Sequence, residues 1–327
     1  MKMRLLIATA DSDYADHLSG VLSEKYPDMF ELFVCTRDLP SGKKFEIALF
    51  GSEFLSWANL VSADLPLILA DGNEYAGDYK SVFKYQRISS MVAGILEYYS
   101  QTGKATSGFP SVKGRIVAVW SAAGGSGKTT VALAYAAYRV SEGKKATYLS
   151  LENFAGTSAY FQGTGKSLSK VFEKFGSDIR MFAAAIRQTD AVSGISYFGE
   201  PENYEDMNIL SIEDIEELIS ACAAETQELV IDLPSSCDSR VKKVFELADT
   251  VLLVSDPSAV SRAKLGQFVT QHDVFGKIQP KIVLANNKGA VADLDIGKSI
   301  RLPFVHSADP VSVFRALSKE KFDWAGE

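Results

Sequence analysis

The residues best equipped for chemistry stand in one stretch, Ala122-Ala123-Gly124-Gly125-Ser126-Gly127-Lys128-Thr129-Thr130. Closely spaced glycines let backbone N–H groups converge on an anion, and a helix starting behind them adds partial positive charge. In such a loop Lys128 reaches the β- and γ-phosphates of a nucleotide as a point charge, and the Thr129 hydroxyl ligates Mg²⁺. The general pattern places Gly six residues before the lysine, where this chain has Ala122, so the stretch is a variant form.

Such a loop works only if a strand feeds it and a helix leaves it. Residues 114–119 (Gly-Arg-Ile-Val-Ala-Val) read as a buried parallel strand. Residues 131–140 are Ala-rich, without Pro or Gly, and read as a helix stopped near Gly143. Downstream, strands are expected at 145–151, running into Glu152-Asn153, and at 195–198. Another at 228–232 ends in Asp232 and a Pro turn, and two more lie at 250–255 and 281–285, the last ending in Asn286-Asn287. Helices are expected at 212–224, opened by Ser211 with Asp214 three residues on, at 258–271, and at 309–318 with Pro310 in the first turn.

Before the loop, strands at 2–8, 29–35, 46–50 and 66–70 alternate with helical or looped segments, closing with a helix at 91–99. The expected class is α/β with two doubly wound domains. A smaller, flavodoxin-like domain spans 1–105, a polar linker with Gly and Pro spans 106–113, and a P-loop domain spans 114–327.

Composition narrows the class. The chain has 327 residues, 46% hydrophobic and 23% charged, as a globular protein does. Its net charge of −7 provides no general field toward DNA or anionic lipid. The basic residues Arg240, Lys242, Lys243, Arg262 and Lys264 read as a solvated face, so DNA is not expected as a partner. Three dispersed cysteines and three histidines offer neither a disulfide framework nor metal-ligand spacing. No apolar run reaches membrane-spanning length, and a cytoplasmic location follows as the expectation.

The order glycine loop, Ser150-Leu151-Glu152, Asp232-Leu233-Pro234-Ser235, then Asn286-Asn287 resembles the deviant Walker A ATPases, the group of MinD and ParA. That resemblance implies an ATP (or ADP) and Mg²⁺ site. Gly124, Gly125, Ser126, Gly127, Lys128 and Thr130 would cradle phosphates, and Thr129 with Asp232 would hold Mg²⁺, the latter through water. Glu152 would position the attacking water, and Asn286 and Asn287 would meet adenine. It also implies an ATP-sandwiched homodimer. The family's signature lysine falls at Ala123, whose methyl carries no charge, so weak hydrolysis is implied beside intact binding. As residue types alone, Glu152 also reads as a surface carboxylate, Asp232 as a strand-end turn residue, and Asn286-Asn287 as a turn dipeptide.

Residues 1–105 resemble a response-regulator receiver domain by strand order. The acidic pair expected after the first strand falls at Thr9 and Ala10, with Asp11 just beyond, and the phospho-accepting aspartate falls at Gly51, next to Ser52. Only the fifth-strand lysine, Lys84, is kept. A receiver-like domain ahead of a MinD/ParA-like ATPase resembles the TadZ/CpaE proteins of tight-adherence (Flp-type) pilus assembly. This implies a scaffold that localises pilus or secretion assembly proteins, at the cell pole or against the membrane through its partners. The alternative is a cycling ATPase that partitions DNA or cargo.

Overall fold

A computed structural model describes residues 2–27, 29–38, 40, 42–72, 79–100, 102, 114–161, 166–173, 179–289 and 296–322. The chain divides into two compact units, Met1–Ser111 and Val112–Glu327. The segment 106–113, read as a linker, lies outside the described residues.

The first unit runs β1 (Met3–Ala8), α1 (Ser12–Lys25), β2 (Phe30–Cys35), β3 (Lys44–Gly51), a 3₁₀ helix (Ser52–Leu60), β4 (Ser62–Ala70), β5 (Lys80–Phe83) and α2 (Ile88–Ser100). All neighbours pair in parallel, in the order β2-β1-β3-β4-β5. Leu5–Ala8, Ile47–Phe50 and Leu67–Ala70 are continuously buried, which is why these stretches are apolar at every position and do not alternate. Strand β4 starts four residues earlier than its apolar run. Pro66 is tolerated inside it because β5 pairs only from Leu67 onward, so its missing N–H costs no ladder bond on that side. Asp11 caps α1 by accepting from the Tyr14 N–H.

The second unit runs β6 (Arg115–Trp120), α3 (Lys128–Ser141), β7 (Ala146–Ser150), α4 (Ser169–Phe172), α5 (Ile179–Ile186), β8 (Gln188–Thr189), β9 (Ser196–Tyr197), α6 (Tyr204–Asn208) and α7 (Ile212–Ala223). It continues with β10 (Glu228–Asp232), α8 (Ser239–Leu247), β11 (Thr250–Ser255), α9 (Ala259–Val269), α10 (His272–Ile278), β12 (Ile282–Asn286), β13 (Lys298–Arg301) and α11 (Pro310–Leu317). Its eight-stranded sheet has the order β13-β12-β11-β6-β10-β7-β9-β8, parallel except for the β8–β9 pair.

Helix α3 is the spine of this unit. Val131 through Ala136 are wholly buried, because the helix packs on β10, β7 and α11. It ends as its sequence indicates. Gly143 is left-handed (φ +78°), its N–H donates to Val140 and the Lys144 N–H to Arg139, which satisfies the last carbonyls. One buried carboxylate, Glu228, is met from α3 by the Tyr135 hydroxyl and by Arg139 at 3.4 Å, the pairing a buried charge requires. Ser211 and Asp214 form a reciprocal capping box on α7.

Candidate functional site

The strand β6 delivers the chain into the glycine loop, and α3 begins at Lys128. Gly125 (φ +75°) and Gly127 (φ +93°) occupy the left-handed region, where a side chain is strained. Gly127 has a second constraint: a Cβ there would lie 2.5 Å from the Asn287 Nδ2. As the N-cap of α3, Gly127 contributes no side-chain cap. The first-turn N–H groups of α3 are therefore left to an anion.

The ends of β6, β10 and β7 lie side by side, with Asp232 in register with Val119 and Ser150. Asp232 is wholly buried. Its Oδ2 accepts from the Thr129 hydroxyl at 2.6 Å and from the Tyr148 hydroxyl at 2.9 Å, whereas its Oδ1 is buried without a partner. Burial pushes its pKa up to about 6, against the opposing pull of Thr129, Tyr148 and Lys128. Burial likewise drives the Tyr148 phenol well above its ordinary value, with the Asp232 charge adding to the effect, so this hydroxyl is a fixed donor.

The Lys128 ammonium donates to Ser235 Oγ at 2.9 Å and pairs with Glu152 Oε1 at 3.4 Å. Ser150 Oγ accepts from the Glu152 N–H at 3.3 Å, shaping the turn that carries Glu152. The sequence-derived residues Lys128, Thr129, Asp232 and Glu152 thus converge at one end of the sheet. Ser126 Oγ is a second buried atom without a partner. Thr130 is less free, as its hydroxyl bonds Tyr160 at 2.8 Å. Ala123 is buried, with its N–H donating to Ser121 Oγ.

The asparagines take different positions. Asn287 spends its amide within the chain: Nδ2 donates to the Ser126 carbonyl at 2.8 Å and Oδ1 accepts from the Lys288 N–H at 2.9 Å. Asn286 Nδ2 points to the Ile300 carbonyl at 3.4 Å. Asn286 ends β12, which is not the last strand, because β13 pairs outside it. Sequence reasoning missed Tyr148, Ser235 and Lys288. Ser235 stands three residues past Asp232 and was within reach of it, whereas Tyr148 and Lys288 carry no local signal for their partners.

Two further features lie outside the loop. In the first unit Glu53 caps the end of β1, accepting from the Thr9 hydroxyl at 2.8 Å and from the Ala10 N–H. Burial opposes its ionisation, but bonds from its own backbone, Ala10 and Thr9 outweigh that and hold its carboxyl below the usual range. A Cβ on Gly51 would lie 2.5 Å from this carboxylate. Lys84 follows β5 and pairs with Asp71 at 3.0 Å. In the second unit part of the basic cluster is neutralised locally, Arg240 by Asp238 at 3.1 Å and Lys243 by Glu216 at 3.2 Å.

The fold is that of a P-loop ATPase of the ParA/MinD type. A ParA family ATPase from Chlorobium tepidum TLS is 20% identical, the match covering 63% of this chain and 93% of that one, with a TM-score of 0.53. Also similar are MinD of Pyrococcus horikoshii OT3 complexed with Mg-ADP (15% identical, 65% and 97% covered, TM-score 0.47) and a plasmid partition protein of Borrelia burgdorferi (15%, 63% and 96%, 0.47). No protein-family model and no curated protein matches the chain. Among the described residues no helix is long and apolar enough to cross a membrane.

Proposed function

We propose that the chain is an ATP-binding scaffold that dimerises around Mg-ATP and hydrolyses it slowly. The observation carrying this reading is Asp232. A wholly buried carboxylate with one oxygen bonded to Thr129 and the other without a partner is poorly explained as a structural group. It is well suited to a hydrated Mg²⁺ held jointly with nucleotide phosphates, which uses one or two carboxylates and keeps several waters. Bound Mg²⁺ would supply charge neutralisation at the phosphates. The residues of the chain do the rest. Lys128 is held ready by Ser235 and Glu152, the α3 N-terminus presents its N–H groups, and Thr129 is aligned by Asp232.

Hydrolysis has weaker support. Glu152 stands at the phosphate end but is engaged with Lys128, and Ala123 brings no cation to the partner's site. The receiver-like reading of the first unit rests on the 2-1-3-4-5 order and on Lys84. The carboxylate at its heart is Glu53, bonded to Thr9 and Ala10, rather than an aspartate at 51. This favours an interaction module over a phosphorylation switch. Domain order then favours a role like that of the TadZ/CpaE proteins, localising pilus or secretion assembly proteins in the cytoplasm or at the inner membrane face.

The second reading, a cycling ATPase that partitions DNA or cargo, is favoured by the ParA-type fold itself. Light-scattering mass with and without Mg-ATP, recorded beside phosphate release, separates the two. The scaffold reading expects a dimer with ATP and slow release. Rapid turnover overturns it in favour of the second, and an unchanged mass removes the sandwich dimer from both.

A further inference from the structure

We propose that Tyr148 is a positioning residue for the metal: its hydroxyl grips one oxygen of Asp232 and so leaves the other as the acceptor for a water of hydrated Mg²⁺. This role rests on the nucleotide reading above. Asp232 ends β10 in register with Ser150 of β7, so Tyr148, two residues earlier on β7, shares their face of the sheet. That face is the one α3 covers, since Tyr148 lies in one core cluster with Val131–Ala136. Tyr148 and Thr129, in the first turn of α3, thus approach the same carboxylate from two different elements.

The bonds to this carboxylate are lopsided. Its two oxygens together offer about four acceptor positions. Both donors, Thr129 at 2.6 Å and Tyr148 at 2.9 Å, meet Oδ2, while Oδ1 is buried without a partner. Rotation about the Cβ–Cγ bond of an aspartate is soft, and one donor alone leaves the group free to rock. Two donors from separate elements fix its plane. Strand β7 is a firm base for one of them, because it is paired on both sides at Tyr148. An apolar side chain would fill the core at 148 without burying a hydroxyl, so filling space does not account for a tyrosine. Orientation matters to this ion, which demands near-ideal octahedral geometry and keeps several of its waters. A contrary effect also operates: a donor stabilises the bare carboxylate and so competes with the cation. Orientation outweighs it, because partners that orient metal-site groups contribute about 10–100-fold in metal affinity.

The test is calorimetric titration of Mg²⁺ into the full chain saturated with a non-hydrolysable ATP analogue, with the affinity for that analogue in EDTA measured beside it. Tyr148→Phe is expected to weaken Mg²⁺ about tenfold and to leave the analogue in EDTA within about twofold. Retained analogue binding shows that the variant is folded. Replacing Tyr148 by 4-aminophenylalanine keeps a donor at the same ring position and is expected to bring Mg²⁺ back to within about threefold of the parent. The control is Tyr135→Phe, which removes another buried phenol hydroxyl, the one on Glu228 at the opposite end of β10, and should leave Mg²⁺ affinity unchanged. Unchanged or tighter Mg²⁺ binding by Tyr148→Phe would overturn the proposal, the latter by showing that the donor chiefly competes with the metal. An equal loss in Tyr135→Phe, an equal loss on the analogue in EDTA, or no recovery with 4-aminophenylalanine would overturn it too. A parent that binds no analogue, with or without Mg²⁺, would instead sink the nucleotide reading itself.

Discussion

Replacing Asp232 by Asn separates what the site costs from what it does. Burial holds the Asp232 pKa at about 6 instead of 3.8 in the metal-free chain. Between those values the fold binds more protons than the unfolded chain, so this group lowers stability as pH rises and its effect levels off above about 6. The gap corresponds to about 3 kcal/mol. Asparagine keeps an acceptor for Thr129 and Tyr148, but its amide nitrogen inherits the unpartnered position of Oδ1, which returns about 1–2 kcal/mol of that gain. Asp232→Asn should thus be more stable than the parent by about 1–2 kcal/mol at pH 8 in EDTA, with the gap closing by about pH 4. Added Mg-ATP should stabilise the parent and leave the variant unchanged. Urea denaturation followed by the buried Trp120, at several pH values with and without Mg-ATP, reads all of this. A variant less stable than the parent at pH 8, or a gap that ignores pH, would refute the reasoning.

Other outcomes follow from the same contacts. Tyr148→Phe removes a buried donor from Asp232 and should destabilise the chain by about 1–2 kcal/mol, more at pH 8 than at pH 5, measured by denaturation. Gly127→Ala should cost more than about 2 kcal/mol and abolish nucleotide binding, since it combines a left-handed φ with a Cβ 2.5 Å from Asn287. Gly51→Ala should displace the Glu53 carboxylate and cost about 1–2 kcal/mol, and much of that penalty should vanish on a Glu53→Ala background, a coupling that a double-mutant cycle measures. Acetyl phosphate should leave no label on residues 1–105, and mass spectrometry that finds one would restore a switch role to the first unit.

The fold was legible wherever burial was continuous. The runs at 5–8, 47–50, 116–120, 229–231 and 251–254 are apolar throughout because both sheet faces are covered, and such runs need no alternation to be recognised. Short, exposed elements were not legible. Strand β13 (Lys-Ser-Ile-Arg) is mostly exposed and carries no apolar pattern, and β8 has two residues. The 3₁₀ helix Ser52–Leu60 fully buries only Phe54 and Ala58, too few positions to reveal a period.

At the site the asymmetry is similar. Lys128, Thr129 and Asp232 belong to a fixed spacing and a strand end, so sequence order found them. The partnerships of Tyr148 with Asp232, and of Lys288 with Gly125, span 84 and 163 residues. They exist only because β7 adjoins β10 and because β12 and the glycine loop end at the same edge of the sheet. Asn287 shows the same limit. The family resemblance implied a base contact for it, and only the fold shows that its amide also ties the loop to Lys288.

A scaffold of this kind must hold Mg-ATP firmly and turn it over slowly. Rapid filtration of the full chain with γ-labelled ATP, in Mg²⁺ and in EDTA, measures both at once. Stoichiometric uptake that requires Mg²⁺, with phosphate released slowly relative to binding, is the expected result. No uptake, uptake indifferent to Mg²⁺, or rapid phosphate release would contradict it.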